Sequence, residues 1–160
     1  MRIVLTVAGV LSALVAGLSG CGSDEAPQTP AACLGPPSAY LAALEDAPGT
    51  VLLEGTTPIS ACLVDDQPPG SLQSVGGALI AAATELNARI RRQPDSETTV
   101  QIGYLVGAVQ DAAAGTGGIH EDLVLRLDAA ARFTGEEGRP FSAEFERSFG
   151  EGFAAGQAGG

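Results

Sequence analysis

Leu72, Val75, Leu79, Ala82, Leu86 and Ile90 recur at helical spacing through the stretch from Ser71 to Arg92. Steps of three and four residues keep them on one stripe for about five turns. A helix with one apolar stripe must bury it against another element, so this stretch commits the chain to a helix-packed core. Ser71 is the expected cap. Arg89, Arg91 and Arg92 suit the C-terminal end of the helix dipole, and Pro94 ends the run.

The remainder of the chain has the same character. Asp95 or Ser96 caps a second long helix with Glu97 in its first turn. It runs to about Ala114 and offers Ile102, Leu105, Val106, Val109 and Ala113 from one face. Gly115 to Gly118 breaks it. A third spans about Ile119 to Phe133 with Leu123, Val124, Leu127, Ala130 and Ala131 facing inward, Gly135 as its C-cap and Glu136 to Pro140 as a loop. The last begins at Ser142 and runs to about Ala155. Phe141, Phe145, Phe149 and Phe153 recur there every four residues and hold four of the five phenylalanines. The chain has few other large side chains, so this ridge is expected in the core. Gly150 and Gly152 should weaken the helix end, leaving residues 157–160 a disordered tail. The fold class predicted is all-α: a small bundle of three long helices plus a Phe-rich fourth, over residues 33–156.

The segment before the bundle is less regular. Pro36-Pro37 precede Ser38, an expected N-cap for a short helix over Ala39 to Asp46 with Tyr40, Leu41 and Leu44 on its docking face. Ala47-Pro48-Gly49 stops it. Residues 50–54 read as extended and 58–64 as a helical turn or two, with Asp65 to Gly70 a linker. Gly22 to Ala32 is polar and contains two prolines without periodicity, so residues 21–32 read as a disordered tether.

At the start of the chain, Arg2 precedes an apolar run from Ile3 to Leu18, which ends in Leu18-Ser19-Gly20-Cys21. About 16 apolar residues fall short of the roughly 20 needed to span a bilayer. The order of basic start, apolar centre, small residues and cysteine resembles the lipobox of bacterial lipoprotein precursors. The resemblance covers about 21 residues and is silent on the rest. It implies that 1–20 is a signal peptide cut between Gly20 and Cys21, and that Cys21 carries a diacylglyceryl group. The domain would then sit on the extracytoplasmic face of the cell membrane, held by a lipid anchor stable enough to be permanent. With Cys21 lipidated, Cys33 and Cys62 remain as a lone pair in an oxidising compartment and are expected to join.

Seven arginines stand against nineteen acidic residues after position 20, a formal charge of −12, and there is no lysine. Such a balance argues against nucleic-acid binding, which needs a basic footprint.

No motif carries a specific chemistry. Gly115-Thr116-Gly117-Gly118 at a helix start has the look of a phosphate loop but lacks the following lysine, and Glu121 and Asp122 occupy the anion's place. It reads as an interhelical loop. His120 is the only histidine, and its neighbours Glu121 and Asp122 point in different directions from a helix, so no metal site or cofactor is expected. A surface or capping histidine is the default reading. Gly103-x-x-x-Gly107 suits a close helix crossing, with Gly76-Gly77 as the expected partner face. If a pocket exists, Tyr104, His120, Arg91 and Gln101 are its candidate polar groups.

Three functions are compatible with these features, in order: a non-catalytic envelope lipoprotein binding a protein or envelope component, a carrier with an interhelical pocket for a small ligand, and a hydrolase using His120. An exposed concave Phe surface would favour the first, an enclosed apolar cavity the second, and a serine or carboxylate beside His120 the third.

Overall fold

The computed structural model describes residues 28–132 and 142–160. Lipidation at Cys21, the signal peptide 1–20, Gly135 as a cap, the loop from Glu136 to Pro140 and Phe141 all lie outside the described residues.

The fold is an all-α bundle. Its α-helices are α1 (Pro37–Ala43), α2 (Pro69–Arg92), α3 (Ser96–Ala114), α4 (Glu121–Ala131) and α5 (Ala143–Gly159). Two two-residue strands, β1 (Leu52–Leu53) and β2 (Thr57–Pro58), pair antiparallel with Leu52 opposite Pro58. Residues 50–54 are thus extended at their centre, and Ile59–Cys62 is a 3-10 turn where the sequence suggests a helical turn.

Caps explain where the helices begin. Asp95 Oδ1 accepts the Thr98 N–H at 2.7 Å and opens α3, as the sequence predicts. Ser142 Oγ accepts the Phe145 N–H at 3.1 Å and opens α5. The expected serine caps at 38 and 71 are not used. Pro37 and Pro69 take the first helical positions instead, where a missing N–H costs nothing.

At the centre lies α3. Every residue from Thr99 to Val109 is buried, not the single face expected. The reason is position: α2, α4, α5 and the Ile59–Cys62 turn all pack around it. A helix enclosed on all sides must lack charge all round, and no ionisable acid or base interrupts Thr99–Val109 except Tyr104. From α2, the buried stripe is Val75, Leu79, Ala82, Leu86 and Ile90. From α4 it is Leu123, Leu127 and Ala131, with Val124 and Ala130 half-buried.

Cys33 and Cys62 are bridged, with Cα atoms 5.3 Å apart. Both are fully buried, and the Tyr40 hydroxyl donates to the Cys33 carbonyl at 2.6 Å, tying α1 to the bridge. The fold begins earlier than Cys33. Ala31–Leu34 forms a 3-10 turn with Ala32 buried, and Thr29 is already hydrogen-bonded to Gln67. The disordered tether expected up to Ala32 therefore stops short of these residues.

The far end differs too. Residues up to Gly159 are helical, so 157–160 is no tail.

Candidate functional site

The chemistry of α5 falls into two stripes, each with a four-residue period. Ser148, Gly152 and Gly156 are its buried residues. Phe145, Phe149 and Phe153, one position along, are only half-buried. The ridge expected to be core is thus a wall, and a row of residues with almost no side chain is the docking face.

The physical cause is proximity of backbones. A Cβ on Gly152 would overlap the Val100 carbonyl, and one on Gly156 the Tyr104 carbonyl. Facing them on α3, a Cβ on Gly103 or Gly107 would overlap the carbonyls of Phe149 and Phe153. Contacts rise together along both helices, so α3 and α5 run parallel. The partner of Gly103-x-x-x-Gly107 is this Gly152-x-x-x-Gly156, not the expected Gly76-Gly77. Gly76 instead meets the Leu123 side chain, and a Cβ on Gly77 would meet open space.

Close approach leaves the Phe rings no room between the helices, so they project beside the contact. Their centroids stack at 6.0 Å (Phe145–Phe149) and 6.2 Å (Phe149–Phe153). With Val106 as floor and Asp128, Ala131 and Arg132 of α4 opposite, they line an open groove of about 490 Å³. At its edge Gln110 Nε2 donates to Asp128 Oδ1 at 3.1 Å.

None of the four candidate polar groups lies in this groove. Arg91 is exposed in the last turn of α2, between Arg89 and Arg92, which pair with Glu85. Gln101 is buried within α3. Tyr104 is 1% exposed, and its hydroxyl makes no hydrogen bond of ordinary geometry. Burial pushes its phenol up, with the Val51 backbone opposing. His120 stands apart from all three.

The default expectation for His120, a surface or capping role, is overturned. It occupies the N-cap position of α4 but its ring is fully buried and caps nothing. Nε2 lies 2.7 Å from Gln67 Oε1 and Nδ1 lies 2.8 Å from Thr116 Oγ1. Gln67 spends its amide N–H groups on Thr29 Oγ1 at 2.8 Å and the Cys62 carbonyl at 2.9 Å, which orients its oxygen toward the ring. An amide oxygen only accepts, so Nε2 carries a proton. Burial holds the imidazole below its ordinary value, and the Asp65 carboxylate opposes this. The glycine-rich loop serves this placement. Gly117 and Gly118 hold φ of 60° and 93°, values that turn the chain from α3 into α4 and bring Thr116 and His120 together.

A hydroxyl beside an imidazole is the starting geometry of an activated nucleophile. Here the Thr116 hydroxyl also lies 2.8 Å from the Ala113 carbonyl at the end of α3, and neither Thr116 nor His120 borders the groove. The buried pair joins separate segments of chain. Among the described residues, no cluster of His, Cys, Asp and Glu has the arrangement of a metal site, and no helix is long and apolar enough to cross a membrane.

Reasoning from sequence missed the groove because it read the Phe stripe and the glycines separately. The signal was there: two small-residue rows at four-residue spacing, on two helices, one of them beside an aromatic row. The chain matches no known protein family, no curated protein and no solved structure.

Proposed function

We propose that the protein is a lipid-anchored extracytoplasmic protein whose bundle is a non-catalytic binding module, and that it engages a protein partner through the Phe145–Phe149–Phe153 groove. One observation carries the reading. The largest apolar side chains of α5 are only partly buried and line an open groove, although the helix is already docked by its glycines. Aromatic rows that the fold buries only in part are what protein interfaces use. The Cys33–Cys62 bridge supports export, because such bonds persist in oxidising compartments. The lipobox resemblance supports the anchor.

Two experiments test it. Cys21→Ala should shift the protein from the detergent phase to the aqueous phase, and a variant that still partitions with detergent ends the anchor reading. A photo-crosslinking phenylalanine analogue at position 149 should capture a protein in the intact envelope, while the same group at Glu54, exposed in the turn between β1 and β2 and outside the groove's lining, should not. Equal capture at both positions, or none at 149, ends the groove reading. Capture of a small molecule alone would replace it with the carrier reading.

A further inference from the structure

The groove extends past the Phe row. A second hollow of about 570 Å³ continues between the end of α3 and the start of α4, lined by Ala113, Gly118, Glu121, Val124 and Leu125. Gln110 borders both hollows. Leu125 stands 69% exposed at its edge. The two hollows adjoin at Gln110 to give a trough along α3; α4 flanks both parts, and the Phe row of α5 flanks only the first.

We propose that this trough docks an amphipathic helix whose apolar stripe is flanked by arginine or lysine. The proposal rests on the groove reading above and specifies the partner's chemistry. Three lines support it. The walls and floor are helices, whose backbone groups are already paired, so a strand has no edge to join and would leave its own backbone unsatisfied against apolar side chains. A helix brings its hydrogen bonds with it. The length also fits: α4, at 11 residues, gives a wall of about 16 Å, three turns of a partner. Charge sets the flanks. Glu121, Asp128 and Glu146 line the trough against the single Arg132, and the whole chain carries −11. A cationic flank is drawn to such a rim and an anionic one repelled. An acyl chain fits poorly, because an open trough cannot enclose most of a small ligand's surface.

The test uses the full chain in detergent at about 0.15 M salt, where remote charges are screened. The probe is a fluorescein-labelled peptide of about 15 residues with leucines at helical spacing and arginines on both flanks. Two controls replace the arginines by glutamates or scramble the leucines. The arginine peptide should bind and gain helicity. The glutamate and scrambled peptides should bind at least about ten-fold more weakly. Phe149→Ser should lower affinity about ten-fold, and so should Glu146→Arg, an exposed change that leaves the core alone.

Glutamate-peptide binding as tight as arginine-peptide binding would overturn the basic-helix proposal and leave the groove reading standing. Binding that responds to Glu146→Arg but ignores Phe149→Ser would be charge adsorption, and would overturn it too. Failure of every peptide overturns the helix proposal, while the groove reading then stands or falls on the position-149 crosslink. A full chain that elutes as a dimer, and becomes a monomer on Phe149→Ser, would make a second copy the occupant and overturn the proposal.

Discussion

Two faces of α5 lie one residue apart in sequence and are treated oppositely by the fold. The Ser148–Gly152–Gly156 face has almost nothing apolar to bury, yet it is buried. The Phe145–Phe149–Phe153 face holds most of the helix's apolar surface, yet it is buried only in part. Apolar area alone would predict the reverse. Shape decides instead. Glycines on both helices let two backbones touch over two turns, and the many small dispersion contacts of close-packed main chain replace large side chains. The rings then pack on the flank of the core and line the groove.

The comparison breaks first at the glycines. Gly152→Leu should be the most damaging change, because its Cβ would overlap the Val100 carbonyl, a backbone atom that cannot swing aside. Overpacking a side chain costs about 1–3 kcal/mol, and more where backbone must move. A domain of this size has roughly 5–15 kcal/mol in total. The expected outcome is loss of the cooperative thermal transition, or a fall in midpoint of ten degrees or more (about 3 kcal/mol at roughly 4 °C per kcal/mol). An unchanged midpoint would mean that α5 does not pack on α3 by this face.

Phe149→Ala should cost less. A fully buried phenylalanine loses about 3–5 kcal/mol on truncation, and a half-buried one on an open groove about 1–2. Thermal melting should show a moderate shift while affinity for the arginine-flanked peptide falls about ten-fold. A loss as large as that of Gly152→Leu would place the ring in the core after all, and the contrast between the two faces would disappear.

These expectations also show what was legible in the chain. Helix positions were readable wherever an apolar stripe met a local cap, as at Asp95 and Ser142, because both signals act within a few residues. The disulfide was readable from the cysteine count, once the expected lipidation of Cys21 leaves Cys33 and Cys62 as a pair. What was not readable depends on distance in sequence. Whether Gly152 weakens a helix or seats one depends on the backbone near Val100, fifty-two residues away and invisible to periodicity. The burial of His120 likewise depends on Gln67, fifty-three residues earlier. A histidine followed by two acidic residues at a helix start looks exposed until something distant covers it. Tyr104, Gln101, His120 and Arg91 share only their residue type as polar groups, and three of them are buried at separate places.

His120 inverts the contrast on α5: a polar ring wholly buried, against apolar rings left out. Its burial gives stability a pH dependence. In the unfolded chain the imidazole has its ordinary value near about 6.5, and in the fold burial holds it lower. Between those two values the unfolded chain takes up a proton that the folded chain refuses. Stability from this source is intact above about pH 6.5 and declines as pH falls through the depressed folded value. Urea midpoints should therefore drop between about pH 7 and 5 more steeply for the native protein than for His120→Gln. Parallel slopes would show that the ring is not the group titrating.

The smallest effect sharpens the comparison most. Gly150 and Gly152 sit two positions apart in the same helix, and both look like weak points in the sequence. A Cβ on Gly150 would meet open space, whereas one on Gly152 would strike the Val100 carbonyl. Gly150→Ala should therefore show only the gain in helix propensity. Alanine restricts the unfolded chain and suits an exposed helix interior, so the variant should be about 0.5–1 kcal/mol more stable. That corresponds to a rise of roughly 2–4 °C in the melting midpoint. Gly152→Ala, the same chemical change, should lower it. Opposite signs at two neighbouring glycines cannot come from composition or propensity, which treat them alike. They would come only from a main-chain contact on one side of α5. Two shifts of the same sign would remove that contact, and with it the reason the phenylalanines line a groove.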